Sequence, residues 1–330
     1  MSILKPWIAA LLVLLIPVAS WSAGPKEEAA THYDKAVDHN KKRQLAKARS
    51  ELIEAVLLDL EENKYHQALF INYISTREGP KGIVFYEKLV REHPKSPVAH
   101  YWLGRLYLDR QTLDKAAAEF TETSRLAPDD DHAYVALGHT YWRMGEDEKA
   151  LAAYREADRL SPDIGPVHGG MGNVYFHQKN YERAEKEFLK AIELGSDTTE
   201  FRYNLGVIYE KTHRIGKAIE QWKTILEDDP NEIQARERLA NVYFQGGQYQ
   251  AASEEYSMLS RLQPLSADVF LSLGESLILW ASKTEDPSDV AHIRNSAVQA
   301  FQQTLEIDPK NEKARAYLEK LHAPESPQKN

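Results

Sequence analysis

The sequence predicts an all-α protein made of stacked antiparallel helix hairpins. Small residues recur every 34 positions along most of its 330 residues, and prolines recur near the end of each period. Within a period the apolar residues follow the i, i+4, i+7 spacing of amphipathic helices. A period of this length is typical of a repeat array, because one helix pair cannot bury its own apolar face and its neighbours must cover it.

Two columns of small residues and one of large residues predict where paired helices touch. The first small column lies in the first helix of each hairpin: Gly104, Gly138, Gly172, Gly206, Ala240 and Gly274. The second follows after 12 residues: Ala116, Ala150, Ala184, Ala218 and Ala252. Four residues further come the large side chains: Phe120, Tyr154, Phe188, Trp222 and Tyr256. Small residues let two helices approach closely, since the interaxial distance depends on the side chains at the contact.

Turn and stop signals separate the helices. Gly145 predicts a left-handed turn between two paired helices, because glycine adopts this conformation without steric cost. Proline stops a helix because it lacks the N–H group and disfavours helical geometry in the residue before it. The residues expected to end the second helices are Pro128, Pro162, Pro230 and Pro264, with Ser196 standing in once.

The same frame extends towards both ends of the chain. Phe70 is a misfit at the small place of an earlier repeat, and an insertion of 11 residues interrupts the last repeat. There Asp286 is the expected N-cap and Pro287 the first helical residue, and we expect the lengthened hairpin to protrude. A capping helix is predicted at 311–322 and a disordered tail at 323–330. The array itself is predicted to span 24–310, with repeats at 29–62, 63–96, 97–130, 131–164, 165–198, 199–232, 233–266 and 267–310.

Residues 1–23 are predicted to be a secretory signal peptide. Lys5 precedes the apolar run 7–18, and small residues follow it. The alternative is an uncleaved anchor, but this run of 12 residues is shorter than the roughly 20 that span a bilayer. We therefore expect an exported protein, periplasmic or secreted, that touches a membrane only if its N-terminal segment is retained.

Composition excludes several classes of function. The formal charge of −9 argues against a nucleic-acid binder, whose usual footprint is a basic domain. The chain has no cysteine, which excludes disulfides, thiolate metal sites and cysteine nucleophiles.

A glycine-rich stretch, GPVHGGMGNVYF at 165–176, raises the question of a phosphate-binding loop. The repeat frame places Gly169, Gly170 and Gly172 inside a first helix. Backbone N–H groups there are already bonded to carbonyls four residues back, so they cannot cradle a phosphate. We therefore predict no catalytic residues, no cofactor and no enzyme activity, and we expect Gly169 to face a binding groove.

The periodic pattern resembles the tetratricopeptide repeat (TPR) family across roughly residues 29–310. The resemblance implies a right-handed superhelix whose concave groove is lined by the first helices and binds a protein or peptide. Recurring histidines at the fourth place lie at least 8–10 Å apart, too far to share a metal ion, so we expect no metal site and packing in place of the usual aromatic residue. The residues at this place are His32, His66, His100, Tyr134, His168, Arg202, Arg236 and Phe270.

By this resemblance, a set of aromatic, basic and amide residues faces the groove: Tyr101, Arg105, His139, Trp142, Arg143, Asn173, Phe176, His177, Tyr203, Asn241 and Phe244. Tyr, Trp and Arg are the residues that anchor protein interfaces. The part around Arg105, His132, His139 and Arg143 is locally basic and suits an acidic segment or a carboxylate terminus of a partner.

We interpret the chain as a non-catalytic scaffold that binds a partner peptide or protein during cell-envelope or secretory-compartment assembly. The alternative is an accessory subunit of an exported enzyme or polysaccharide-handling system, with carbohydrate or enzyme contacts in the same groove.

Overall fold

The structure is a computed structural model that describes residues 24–322. The predicted signal peptide and the predicted C-terminal tail lie outside these residues. The described chain is all α-helical, with seventeen helices that form about eight hairpins and a capping helix, which confirms the predicted fold class. It divides into two compact units, unit 1 up to Glu146 and unit 2 from Asp147 onwards.

Unit 1 contains seven helices, and in each complete hairpin the first helix packs against the second. The helices are α1 (Pro25–Lys41), α2 (Leu45–Leu58), α3 (Asn63–Ser75), α4 (Gly79–Glu92), α5 (Pro97–Asp109), α6 (Leu113–Leu126) and α7 (Asp131–Arg143).

Unit 2 contains ten helices. They are α8 (Asp147–Leu160), α9 (Gly165–His177), α10 (Tyr181–Glu193), α11 (Thr199–Lys211), α12 (Ile215–Asp228), α13 (Ile233–Gln245), α14 (Tyr249–Leu262), α15 (Ala267–Ala281), α16 (Pro287–Ile307) and α17 (Glu312–His322). Helices α6, α8, α12 and α14 each end two residues before a proline, as predicted from the proline column.

The small and large columns meet at the helix seams, as predicted. A methyl group added at Gly104 would come within 2.7 Å of the Phe120 ring, and one at Gly172 within 2.7 Å of the Phe188 ring. Gly206 lies against Trp222 in the same way. The aromatic ring of the second helix therefore occupies the space that a side chain on the first helix would need.

The turn inside each of the first seven hairpins uses one left-handed residue, again at intervals of 34. Gly145 has a φ of +75°, which confirms the predicted turn. The same conformation is adopted by residues that are not glycine in most other repeats, and these are Arg43, Arg77, Gln111, Lys179 and His213. Hairpin packing therefore sets this conformation, and glycine is not required for it.

The Phe70 misfit is accommodated by a different arrangement of bulk in the second repeat. There Gly82 lies against Tyr73, whose ring is 2.9 Å from the position that a Cβ would take. Phe70 is half-buried and packs against Trp102 of the next repeat, with ring centroids 5.3 Å apart.

The inserted residues mainly lengthen one helix. Helix α16 has 21 residues, where the other second helices have 13 or 14, and the Asp286 side chain caps it as predicted, accepting from the backbone N–H of Ser288 at 2.8 Å. Val290 packs against the same apolar cluster as Leu321 of α17, while the other residues of 285–292 are exposed. The expectation of a protruding hairpin stays a prediction.

The glycine-rich stretch forms helix α9, as predicted, but Gly169 does not face open space. It is buried under the Phe201 ring, and Gly170 lies under the ring of Tyr154. These glycines are therefore sites of close packing, and the expectation that Gly169 lines a groove is wrong.

Between Gly24 and His322, none of the helices combines the length and the apolar character needed to cross a membrane.

Candidate functional site

The first helices of successive repeats lie side by side within each unit, and their outward residues form the candidate binding faces. In unit 1, α5 contacts both α3 and α7, and in unit 2, α9 contacts α11. The unit 1 face carries Tyr101, Arg105, His139, Trp142 and Arg143. The unit 2 face carries the other predicted residues: Asn173, Phe176, His177, Tyr203, Asn241 and Phe244.

Arg105 is the central cation of the unit 1 face. Its guanidinium lies 5.2 Å from the centroid of Phe70, 5.6 Å from Trp102 and 5.9 Å from Tyr101. It also donates a hydrogen bond of 3.2 Å to the Tyr101 hydroxyl. Three aromatic rings and one hydroxyl thus fix the position of this side chain before any partner arrives.

The other residues of the unit 1 face are more exposed. The rings of His139 and Trp142 have centroids 6.0 Å apart, and Arg143 donates weakly to the Leu108 carbonyl at 3.4 Å. Ile71 has 57% of its surface exposed and occupies the place one repeat before Arg105. The face therefore combines an apolar surface with cationic groups.

His132 contributes less to the basic character than the sequence suggests. Its ring lies 2.7 Å from the carboxylate of Asp131 and 3.4 Å from that of Asp130. Asp130 also caps α7 by accepting from the backbone N–H of His132 at 3.1 Å. These three residues bring their potential ligand atoms within 4.8 Å of one another, but their contacts are those of an ordinary helix start.

The polar residues of the unit 2 face are bonded to one another. Asn173 donates to Glu200 at 2.8 Å and accepts from Asn204 at 3.2 Å. Arg238 donates to the Tyr203 hydroxyl at 3.1 Å, and its guanidinium lies 6.0 Å from that ring. A second bond of 3.4 Å joins Arg238 to the Glu210 carboxylate.

The remaining predicted residues of unit 2 contact their own or a neighbouring hairpin. Phe176 packs on Tyr181 with centroids 6.1 Å apart, and Phe244 packs on Tyr249 at 5.6 Å. His177 lies 2.9 Å from Asp147, and Asn241 accepts from the Tyr256 hydroxyl at 2.7 Å. The two phenylalanines therefore stabilise hairpin turns.

The fourth place is a polar brace in six of the eight repeats, which differs from the aromatic packing predicted from the sequence, while Tyr134 and Phe270 keep an aromatic ring there. His32, His100 and His168 each hydrogen-bond to a glutamate 19 residues further on, at 2.6–2.8 Å. Arg236 makes the same link to Glu255 and also donates to the Pro230 carbonyl. The side chain thus joins the two helices of a hairpin, and in Arg236 and His100 it also bonds to the carbonyl of the proline six residues earlier.

His66 and His100 occupy equivalent places but have opposite shifts in pKa. Burial, partly offset by the Leu60 carbonyl and the charge of Asp59, lowers the pKa of His66 to about 4. The neutral ring donates from Nε2 to that carbonyl at 2.7 Å and accepts at Nδ1 from the Tyr86 hydroxyl at 3.0 Å. Burial would also lower the pKa of His100, but the Glu119 carboxylate outweighs it and raises the pKa.

Three models of the tetratricopeptide repeat family match the chain. One, described as TPR repeat, matches residues 172–212. A second, described as tetratricopeptide repeat, matches residues 131–164. A third with the same description matches residues 85–131 and 203–267. Together the matches cover more than half of the chain. The chain is a TPR protein.

Several solved structures share its fold. The C-terminal part of a TPR repeat-containing protein from Cytophaga hutchinsonii superposes with a TM-score of 0.60 at 21% identity, over 78% of this chain and 99% of that one. YrrB, a TPR protein with an unusual peptide-binding site, gives a TM-score of 0.50 at 24% identity, over 61% and 97%. The Cut9–Hcn1 hetero-tetramer of the APC/C gives a TM-score of 0.50 at 18% identity, over 87% of this chain and 55% of that one. No curated protein matches the sequence.

TPR proteins typically act as protein–protein interaction scaffolds and are usually non-catalytic. For this TPR protein, sequence reasoning missed Phe70 and Trp102, which hold Arg105, and Ile71 on the same face. Ile71 could have been found because it lies 34 residues before Arg105. Phe70 was visible only as a misfit at a small place. The 19-residue spacing between histidine and glutamate was also present in the sequence.

Proposed function

We propose that this TPR protein is a non-catalytic scaffold that binds a partner peptide or protein along the unit 1 face. The observation that carries the proposal is the exposure left on apolar side chains of this face: Ile71 is exposed and Trp142 is half-buried. They lie on α3 and α7, and both helices contact α5, whose Arg105 is held in place by aromatic rings. Exposed apolar groups beside an ordered arginine are typical of interface anchors.

We further propose that the partner contributes an acidic segment. Arg105 and Arg143 supply positive charge on a chain whose formal charge is −9. Charge complementarity of this kind selects a partner and speeds its association more than it raises affinity.

The protein is proposed to act outside the cytoplasm, in assembly of the cell envelope or a secretory compartment. The support is the N-terminal pattern of Lys5 followed by an apolar run and small residues. Fractionation of cells that express the full chain tests this, together with mass determination of its N-terminus. Retention in the cytoplasm with an intact N-terminus would contradict the export proposal and leave the binding proposal unchanged.

The binding proposal is tested by cross-linking in the native compartment, followed by identification of the captured proteins. The test variant carries Tyr101→Ala, Arg105→Ala and Trp142→Ala together. The control carries Leu57→Ala and Val84→Ala, which truncate exposed apolar residues on second helices. We expect the triple variant to lose its partner and the control to keep it. Retention of every partner by a triple variant with normal unfolding would disprove the proposal.

A further inference from the structure

Arg105 differs from every other shielded arginine of the described chain. Six arginines between residues 24 and 322 are buried or half-buried. Five of them form an ion pair with a carboxylate: Arg49, Arg202, Arg214, Arg236 and Arg238. Arg105 is the sixth, and within residues 24–322 no carboxylate lies in ion-pair distance of it, not even that of Asp109 one turn further along α5.

The environment of Arg105 fixes its guanidinium but leaves its hydrogen-bonding capacity largely unused. The faces of Phe70, Tyr101 and Trp102 attract the cation electrostatically. Only one donated bond, to the Tyr101 hydroxyl, is formed. A guanidinium has five N–H donors in a planar fork that matches the two oxygens of a carboxylate. Because the side chain is already ordered, a carboxylate binding there costs little additional conformational entropy.

The surroundings select a carboxylate that is flanked by apolar groups. Ile71 is exposed on the adjacent helix α3, and Phe70 is half-buried beside it. A phosphate group carries about −1.5 to −2 charges and is best held by several cations, whereas this position offers one seated guanidinium. A single negative charge next to an apolar side chain fits both features.

We propose that Arg105 is the docking point for one aspartate or glutamate side chain of a partner segment, whose neighbouring apolar residue packs on Ile71 and Phe70. This inference rests on the proposed function, and it adds the chemical feature by which the unit 1 face recognises its partner. The other five arginines form an ion pair with a carboxylate of this chain, whereas Arg105 would form one with a carboxylate of the partner.

Unit 2 provides a matched control. Arg238 also stacks on a tyrosine and donates to its hydroxyl, but Glu210 already pairs with it. Replacing either arginine by glutamine removes a guanidinium that stacks on a tyrosine, together with its positive charge. Only Arg105→Gln removes a cation that lacks an internal carboxylate partner.

The experiment selects binders from a displayed random peptide library with the wild-type chain as bait. We expect the selected peptides to share an Asp or Glu next to a large apolar residue. For a synthetic version of the best peptide, we expect Arg105→Gln to weaken binding at least tenfold and Arg238→Gln to change it less than twofold. Replacing the acidic residue of the peptide by its amide should weaken binding to the wild-type chain by the same factor. It should not weaken binding to Arg105→Gln any further, because both changes remove the same contact.

Urea unfolding of each variant ensures that a lost contact is not mistaken for a lost fold. If Arg105→Gln unfolds early, Arg105→Lys keeps the charge without the fork, and we expect it to bind at least threefold more weakly than wild type. The inference is overturned if the amide peptide binds as well as the acid, if both arginine variants behave alike, or if a phosphoserine version binds more tightly. Those outcomes leave the proposed function intact, which fails separately if the triple variant binds the selected peptides normally.

Discussion

The two candidate faces differ in where their positive charges find a partner. On the unit 1 face Arg105 is held by three aromatic rings and has no carboxylate within the described chain, while on the unit 2 face Arg238 is paired with Glu210. Both arginines stack on a tyrosine and donate to its hydroxyl. One glutamate therefore separates an arginine that is paired within the described chain from one that is not.

The buried fourth place repeats this contrast inside unit 1. His100 faces two acceptors, the Glu119 carboxylate at 2.6 Å and the Pro94 carbonyl at 3.3 Å, so both ring nitrogens must donate. His66 faces one carbonyl and one hydroxyl, so a neutral ring satisfies both. The presence of a carboxylate partner decides the direction in which the pKa of the histidine shifts.

The largest effect is expected from protonation of His66. Its folded pKa of about 4 lies below the unfolded value of 6.5, so the stability it confers is complete above pH 6.5 and is lost as the pH falls towards 4. The loss amounts to about 3 kcal/mol. Urea unfolding of wild type and His66→Gln at pH 7.5 and pH 4 measures this loss. The difference between their free energies of unfolding should be smaller at pH 4 than at pH 7.5.

His100→Gln is the control for that experiment, and its sign is opposite. The pKa of His100 is raised, so the stability it confers is present below pH 6.5 and is lost as the pH rises through its folded pKa. The difference in free energy of unfolding between wild type and this variant should therefore increase as the pH is lowered. Equal gaps at both pH values for His66→Gln would contradict the assignment of a neutral ring.

A second comparison uses the fifth place of the repeat, where unit 1 has Tyr101 and unit 2 has Gly169. We expect Gly169→Ala to destabilise the protein by about 1–2 kcal/mol, because the new methyl group meets the Phe201 ring and overpacking outweighs the gain in helix propensity. The control is Gly216→Ala, where nothing lies within 4 Å of the new Cβ. It should be neutral or stabilising by up to about 1 kcal/mol. A stabilising Gly169→Ala would mean that Phe201 does not cover this helix.

The Arg238–Glu210 pair gives a smaller effect. The arginine side chain is 39% exposed and the glutamate 23%, so Glu210→Gln should lower the free energy of unfolding by less than about 1 kcal/mol. The loss should disappear in 1 M salt, which screens partly exposed charges. Arg105→Gln, which breaks no internal ion pair, should show no such salt-dependent loss in denaturant titrations. Equal salt dependence in both variants would remove the distinction between the two faces.

The smallest effect is expected at the seam residue Trp222. Unit 1 places Phe120 on Gly104, whereas unit 2 places Trp222 on Gly206, with a buried Nε1 that has no hydrogen-bond partner in the described chain. Trp222→Phe loses packing volume but removes an unsatisfied donor, and the two effects oppose each other. We expect a change within about 1 kcal/mol by thermal unfolding. A loss above about 3 kcal/mol would show that the lost packing outweighs the removal of the unsatisfied donor.

The helical elements and their seams were predictable because their causes are local. Glycine at 104 and phenylalanine at 120 are read directly from the period, and the helices end where proline removes a donor. The prediction failed for Gly169, because the residue that covers it, Phe201, belongs to the next repeat. It also missed the left-handed residues at positions such as Gln111, where packing of the hairpin overrides the preference of the residue.

The sequence by itself determined that this chain forms a hairpin array and which residues line its seams, because bulk and periodicity act over one helical turn or one repeat. It also placed Tyr101 and Arg105 on a common helix. Only the tertiary structure decided that Arg105 has no carboxylate partner while Arg238 does. Pairing at the fourth place follows a regular spacing of 19 residues, but the Arg238–Glu210 pair spans 28 residues between first helices of different repeats, and its formation depends on side-chain distances that the repeat pattern does not give.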